Sequence, residues 1–190
     1  MTHISALPID HPAAQKLPPI LKSSAPISVD LEACRPFNDC YFNVRNHCSE
    51  NGGSPVYGWK LQVFGNTIVE AVHHAVWRNA NGQLIDVTQP SEVYDADSGL
   101  TFCIAPFFIW NDDLPPFIPN AYFHPVIDIQ PLVWKHREII AHKAMLFKAA
   151  RLEGRSISQK EIEEINRLHE DEAHMKHDIC LRWSRMITAS

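Results

Sequence analysis

Three residues, in the order Cys40, His74 and Asp86, carry the side chains that a thiol-based acyl-transfer site needs. A thiolate can attack an amide or ester carbonyl, an imidazole can take up and return the proton, and a carboxylate can fix the imidazole tautomer. The sequence around each position predicts the element that would hold it.

Cys40 follows Asn38 and Asp39, which are both favourable N-cap residues, so a short helix is predicted to begin at or beside the cysteine. Gly52 and the glycine after it would end that helix. The free amides and the positive end of the helix dipole favour a thiolate at its start. The same amides, helped by the Asn38 side chain, could receive the oxyanion of a tetrahedral intermediate.

His74 lies in a run of β-branched and aromatic residues over 67–77, which predicts a strand. Asp86 lies in the next strand-like segment, 83–88. The residues between them, 79–82, end in glycine and are typical of a hairpin turn. The two strands are therefore predicted to be antiparallel neighbours.

The register of this hairpin decides which of two histidines meets the aspartate, because side chains alternate between the faces of a strand. If Arg78 pairs with Gly82, His74 lies opposite Asp86. A register one residue longer would bring His73 to the face of the aspartate instead. His74 is the preferred base, and His73 remains the alternative.

Residues 36–90 resemble the Cys-His-Asp core of the transglutaminase-like branch of papain-like cysteine enzymes. The resemblance rests on a cysteine at a helix start, a strand with His-Ala-Val-Trp and a following Gly-x-Leu-Ile-Asp-Val-Thr. The resemblance implies that Cys40 is the nucleophile, His74 its base and Asp86 the residue that orients the imidazole. Trp59 is the candidate for the aromatic residue that commonly follows the cysteine region in such enzymes.

The predicted fold class is α+β, with a short nucleophile-bearing helix packed on an antiparallel β-meander and a helical hairpin after it. The chain divides into a proline-rich N-terminal arm with little regular structure, an α+β core and a C-terminal hairpin, at residues 1–30, 31–130 and 131–190. Strands of the meander are expected near 59–64, 67–77, 83–88 and 100–104. Bulky aromatic residues and prolines over 105–127 predict an irregular loop that caps the core or walls a cleft.

The C-terminal third has helix signals at both ends of two segments. Pro131 suits a first helical position and Gly154 ends the run. The pattern at 158–161 is a capping box that opens a second helix. The apolar stripe of that helix is interrupted at Glu172. The hairpin would be buried against the sheet or against a second copy of the chain, which makes a homodimer one expected partner.

Composition excludes several classes of protein. The chain has 190 residues, 45% of them hydrophobic, and a formal net charge of -5, which argues against holding nucleic acid by phosphate neutralisation. Neither a secretory signal nor a membrane-spanning run is visible, so we expect a cytoplasmic protein that does not enter a membrane. Five cysteines without tight pair spacing suit a reducing compartment.

Metal binding is the alternative use of the histidines. His174 and His177 are three apart on a predicted helix, with Glu170 one turn before them, which is ligand spacing but also common on a solvated face. Zinc could also be held by some of Cys34, Cys40, Cys48 and His74. We expect no cofactor in the primary interpretation and assign Cys48 to structure, although it follows a histidine directly.

Two functions are consistent with the sequence. The first is a cysteine-dependent acyl-transfer enzyme, whether hydrolase, protease, deamidase or amide-forming transferase, acting on a peptide, a protein or a small amide or ester. The alternative is a non-catalytic binding or adaptor protein, in one form stabilised by zinc, whose acidic helical hairpin engages a partner.

Overall fold

A computed structural model describes residues 4–36, 40–64, 68–90, 94–107, 121–123 and 130–188. The chain forms two compact units, 1–110 and 111–190. The first unit contains β1 (Ile4–Ala6), α1 (Pro12–Leu21), β2 (Ile27–Arg35), α2 (Cys40–Asn51), β3 (Ser54–Phe64), β4 (Ile68–Arg78), β5 (Leu84–Thr88) and β6 (Leu100–Ile104). The second contains β7 (Ala121–Phe123), α3 (Gln130–Leu152) and α4 (Gln159–Thr188).

Residues 4–30 form regular elements, so the expectation of an N-terminal arm with little regular structure is wrong. The strand β1 pairs with the end of β3, and α1 follows it. Pro12 stands in the first turn of α1, where a missing N–H costs nothing, and the His11 ring accepts a hydrogen bond from the Ala13 amide at 3.1 Å. Burial of Ala13 and Leu17 stabilises a helix that its internal prolines disfavour.

Among the described residues, five strands of the first unit close into a ring. β3 pairs with β4, β4 with β5, β5 with β2, β2 with β6, and β6 with β3. The α+β class is confirmed, and β3, β4 and β5 are successive antiparallel strands as expected. The sheet is not a simple meander, because β2 enters between β5 and β6 and runs parallel to β5. Ring closure gives each of the five strands at least two neighbours, although β4 and β5 pair only at Trp77–Ile85 and Arg78–Leu84.

The interior of the ring is an apolar cluster. Val29, Val56, Val76, Leu100 and Phe102 form it, with Ile27, Leu84 and Ile104 packed against them. Because side chains alternate along a strand, residues two positions away point to the same side. The interior face of β4 therefore includes His74 beside Val76, and that of β5 includes Asp86 beside Leu84.

The helix α2 packs against β3, β4 and β5. It begins at Cys40 and ends at Asn51, followed by Gly52 with a positive φ of 72°, so both predicted ends are confirmed. Its ring contacts lie on the outward face of the hairpin: Tyr41 lies against Tyr57, and His47 meets the Trp77 ring edge-on at 4.4 Å. This packing fixes the position of the first helical residue.

In the second unit, α3 and α4 form the predicted hairpin. Gly154, with a φ of 61°, follows the end of α3. The capping box is present, since the Ser158 hydroxyl accepts from the Glu161 amide at 3.3 Å and the Glu161 carboxylate accepts from the Ser158 amide at 2.8 Å. No described helix combines the length and the apolar character that crossing a membrane requires.

Glu172, which interrupts the apolar stripe of α4, has a structural role that the sequence did not reveal. Its carboxylate lies between the two helices, where it accepts from Lys143 Nζ at 2.6 Å and His136 Nε2 at 3.3 Å. Lys176, one turn along α4, adds a third contact at 3.2 Å. His136 and Lys143 are themselves buried. The two helices therefore contact each other through charged and polar side chains at this point, and the apolar stripe between them is not continuous.

Candidate active site

The thiol of Cys40 stands on the first residue of α2 and is buried, with 8% of the residue exposed. The first amides of a helix have no partner within the helix, so donors for an anion lie next to the sulfur. Asn38, the predicted oxyanion residue, lies outside the described residues.

The β4–β5 hairpin turns as predicted. The Asn79 carbonyl accepts from the Gly82 amide at 3.0 Å, and the Asn79 side chain accepts from two further amides of the turn, both at 3.0 Å. Its register differs from the expected one: Arg78 pairs with Leu84 rather than with Gly82. The difference is two residues, so parity is preserved.

His74 and Asp86 therefore share a face but are offset diagonally. His74 Nε2 lies 2.8 Å from Asp86 Oδ2. The other carboxylate oxygen, Oδ1, accepts from the Thr88 amide at 3.0 Å, which orients the carboxylate. Since Nε2 is occupied by Asp86, Nδ1 is the ring nitrogen left for the Cys40 thiol, which helps to raise the pKa of the same imidazole.

The electrostatic balance at His74 favours the charged ring. Burial lowers its pKa, but the charges of Asp86 and of the Cys40 thiolate, and the hydrogen bonds that both make, outweigh burial and raise the pKa to about 10. A charged His74 ring, paired with the Asp86 carboxylate, is thus the favoured state at neutral pH.

Asn43 joins the helix to the carboxylate strand. One turn after Cys40, its side-chain amide donates to the Pro36 carbonyl at 2.6 Å and lies 3.3 Å from the Thr88 hydroxyl. Thr88 in turn orients Asp86 through its amide. These bonds tie the element that bears the sulfur to the element that bears the carboxylate.

A bulge in β2 lies beside the same strand. Leu31 pairs with Asp86, whereas Arg35 pairs with Thr88, so β2 carries two additional residues over this interval. Ala33, inside the bulge, has a φ of 50°, a left-handed conformation that is costly for a residue with a Cβ. The strained backbone lies next to the strand that holds the carboxylate.

His73 has a different environment and does not contact the aspartate. Its Nδ1 lies 2.6 Å from the Tyr41 hydroxyl, and Trp59 meets its ring edge-on at 5.1 Å. Burial, followed by the charge of His74, lowers the His73 pKa to about 3, so the ring is neutral. Trp59 thus lies on the strand face opposite to His74.

Lys60 and Tyr94 are site neighbours that sequence reasoning missed. Lys60 lies on the interior face of β3, and its Nζ is 3.6 Å from the centroid of the Tyr94 ring. The alternation of 59–64 puts Lys60 among the polar positions of the strand, so the sequence carried no signal for its inward position. Its environment depends on strand pairing that the sequence did not predict.

A second thiol has an imidazole neighbour. Cys34, which is exposed, lies 3.8 Å from Nδ1 of His47. Among the described residues no carboxylate hydrogen-bonds to His47, in contrast to His74. Cys48 is half-buried, and burial raises its pKa, which agrees with a structural assignment. Cys34 therefore has to be controlled for in any experiment on thiol reactivity.

The histidines proposed as an alternative metal site, His174 and His177, are both exposed on α4. Within the described ranges, no group of three or more His, Cys, Asp or Glu side chains is arranged to hold a metal ion. Cys40 and His74 are instead brought together with Asp86.

Comparison with protein-family models, with curated proteins and with solved structures found no match for this chain.

Proposed function

We propose that the protein is a cysteine-dependent acyl-transfer enzyme that acts through Cys40, His74 and Asp86 on an amide or ester carbonyl. One observation carries the proposal: the buried His74 imidazole lies 2.8 Å from the Asp86 carboxylate, and the charge of Cys40, at a helix start, acts on the same ring and raises its pKa. Three segments distant in sequence supply these groups. Their chemical order, nucleophile to base to orienting carboxylate, is that of a thiol hydrolase or transferase.

In the first half-reaction, the Cys40 thiolate attacks the carbonyl carbon and the carbonyl π electrons move to oxygen. The amides at the start of α2 are the donors for the resulting oxyanion. The His74 imidazolium then gives its proton to the leaving amine or alcohol as the tetrahedral intermediate collapses to a thioester.

In the second half-reaction, water or an amine attacks the thioester and neutral His74 accepts its proton. Collapse expels the Cys40 thiolate, and the imidazolium is restored. Asp86 stays ionised throughout, holds the Nε2–H tautomer and stabilises the charged ring. The acceptor decides between hydrolysis and transfer, so both outcomes are covered by this chemistry.

We further propose that the first unit is a variant of the transglutaminase-like, papain-like arrangement. The support is the chain order of Cys40, His74 and Asp86, and a nucleophile-bearing helix packed on an antiparallel β3–β4–β5 succession. The parallel pairing of β2 with β5 and the closed ring are features added to that arrangement here.

The decisive experiment uses p-nitrophenyl acetate as an unspecific acyl donor and intact-protein mass spectrometry. A Cys34→Ser parent removes the exposed competing thiol. On mixing, one acetyl group should appear on the protein together with one equivalent of p-nitrophenolate, and peptide mapping should place the acetyl group on Cys40. Steady release after that burst would show that the thioester turns over.

The matched variants are Cys40→Ser, His74→Gln and the Cys48→Ser control, each in the parent. We expect loss of the burst in the first two and an unchanged burst in the third. Acetylation that is equally fast in Cys40→Ser, with circular dichroism showing an intact fold, would refute the assignment of the nucleophile. Acetylation of Cys40 at the rate of a free thiol would refute its activation.

A further inference from the structure

Lys60 occupies an inward position of β3 beside the proposed catalytic residues. It pairs with Val72 of β4 on one side and with Phe102 of β6 on the other. His74 is its diagonal neighbour on the same face of β4, because Gly58 is the residue that pairs with His74. Diagonal neighbours across an antiparallel pair are close enough for long side chains to interact.

The Lys60 ammonium lies against the face of an aromatic ring. Its Nζ lies 3.6 Å from the centre of the Tyr94 ring, and Tyr94 is itself fixed by a hydrogen bond from its hydroxyl to the Gly99 carbonyl at 2.8 Å. Among the described residues no carboxylate is within ion-pairing distance. Glu70, the other diagonal neighbour on β4, accepts from Gln62 at 2.8 Å. A ring face stabilises a cation but does not neutralise it.

The negative charges that act on Lys60 are those of the proposed site. Burial lowers its pKa to about 8, while the charges of Asp86 and the Cys40 thiolate oppose that decrease. Lys60 is therefore still a cation at neutral pH. Burying it costs stability there, because a folded-state pKa below the ordinary value of 10.5 means that folding disfavours the bound proton. The benefit of retaining a lysine has to lie elsewhere.

We propose that Lys60 is a positioning residue that acts through charge: held on the Tyr94 ring, it offsets the second negative charge of the thiolate–imidazolium–carboxylate group and favours the Cys40 thiolate. Without it, two anions and one cation share a buried space. With it, the charges of Cys40, His74, Asp86 and Lys60 sum to zero. This inference rests on the proposed function, but its readout is the thiol itself and needs no substrate.

The test measures the rate of Cys40 alkylation by iodoacetamide across pH in the Cys34→Ser parent and in Lys60→Met, Lys60→Arg and Tyr94→Phe. In Lys60→Met the acidic limb of the profile should move to higher pH by about one unit, so that alkylation at neutral pH slows roughly tenfold. Lys60→Arg keeps the charge and should restore the profile. Tyr94→Phe keeps the ring, loses only the hydroxyl and should leave the profile in place.

Stability separates this role from a structural one. Lys60→Met should melt at or above the temperature of the parent at neutral pH, because a half-buried cation that no described carboxylate pairs with has been removed. A variant that melts lower and keeps the parental alkylation profile would show that the lysine is merely structural, and the inference would be wrong.

A second measurement avoids substitution of the lysine. Coupling between two sites is reciprocal, so alkylating Cys40 should shift the titration of the Lys60 ammonium, followed by NMR, to lower pH. An unchanged Lys60 titration after complete alkylation of Cys40 would overturn the inference even if Lys60→Met did not fold. If the protein shows no acyl transfer but Lys60→Met still shifts the Cys40 alkylation profile, only the proposed reaction would be refuted.

Discussion

His74 Nε2 reaches Asp86 Oδ2 at 2.8 Å across the end of the β4–β5 hairpin, although the two residues are not paired with each other. The last pair in the described ladder is Trp77 with Ile85, and His74 and Asp86 lie beyond it. Beyond the paired region the strands can separate, so a diagonal contact can form at ordinary hydrogen-bond length. The imidazole thereby keeps its other nitrogen for the thiol.

Asp86→Asn should reduce acyl transfer by about 10²–10⁴-fold, because the amide neither stabilises the imidazolium nor fixes its tautomer. The pKa of His74 should fall from its raised value, since the charge of Asp86 is a main cause of that increase. The basic limb of the pH profile of acyl transfer, which depends on the proton that the His74 imidazolium gives to the leaving group, should then move to lower pH.

The matched control for this carboxylate is Asp97→Asn, at an exposed position of the same unit. Asp97→Asn should change neither the rate of acyl transfer nor the position of the basic limb of its pH profile. An Asp86→Asn enzyme with the parental pH profile would contradict the role given to the carboxylate.

His73 should make the first unit sensitive to acid. Its folded-state pKa is about 3 against an ordinary 6.5, so the folded protein binds fewer protons than the unfolded chain between these values. Its contribution to stability is therefore complete above pH 6.5 and is lost as the pH falls through about 3.

Urea titrations at several pH values across that window measure the effect. In His73→Phe, the decrease of the unfolding free energy with acidity should be smaller than in the parent. His174→Gln, at an exposed position of α4, is the control and should keep the parental slope. His73→Phe should also lower the unfolding free energy at every pH, because the buried Tyr41 hydroxyl loses its hydrogen bond to the His73 ring. The test therefore compares the slopes with pH and not the absolute values.

Gly58→Ala should destabilise the first unit by about 1–3 kcal/mol, the usual cost of overpacking, because the strands have no space for a methyl group. A Cβ at this position would lie 2.1 Å from the Cys103 carbonyl oxygen and 2.6 Å from the end of the Phe102 ring. Chemical denaturation measures the loss.

Gly82→Asn is the control for this substitution. A Cβ there meets nothing within 4 Å, and asparagine tolerates the φ of 82°, so stability should change little. Equal stability of Gly58→Ala and the parent would show that β3 and β6 are further apart than described.

Glu172→Gln should weaken the α3–α4 hairpin by about 3 kcal/mol, because the buried Lys143 ammonium loses its counter-charge. Burial would raise the pKa of Glu172, but the His136 hydrogen bond and the lysine charges outweigh it and hold the pKa below its ordinary 4.5. Its contribution is thus present above pH 4.5 and is lost in stronger acid.

Hydrogen exchange of the α3 and α4 amides measures this change locally. Glu163→Gln, exposed on the same helix, should leave their protection unchanged. Unaltered protection in Glu172→Gln at neutral pH would show that the charges inside the hairpin do not stabilise it.

Local signals in the sequence determined the elements that carry the chemistry. Helix capping and glycine placed α2, the Asn79–Gly82 turn placed β4 and β5 as neighbours, and the capping box placed the start of α4. The alternation of side chains also assigned His74 rather than His73 to the face of the aspartate. That assignment holds although the predicted register of the β4–β5 hairpin was wrong, because the error was two residues and a shift of two keeps each side chain on its face. Each of these signals depends on a few adjacent residues.

Only the tertiary structure decided what lies far apart in the chain. The proline-rich start became β1 and α1 because the body buries them, which composition does not show. The insertion of β2 beside β5, the position of Lys60 on the Tyr94 ring and the burial of Glu172 among cations each depend on pairings between distant segments. Local propensity determines where an element begins and ends, whereas the partner that an inward side chain meets is set by long-range packing, which one sequence does not specify.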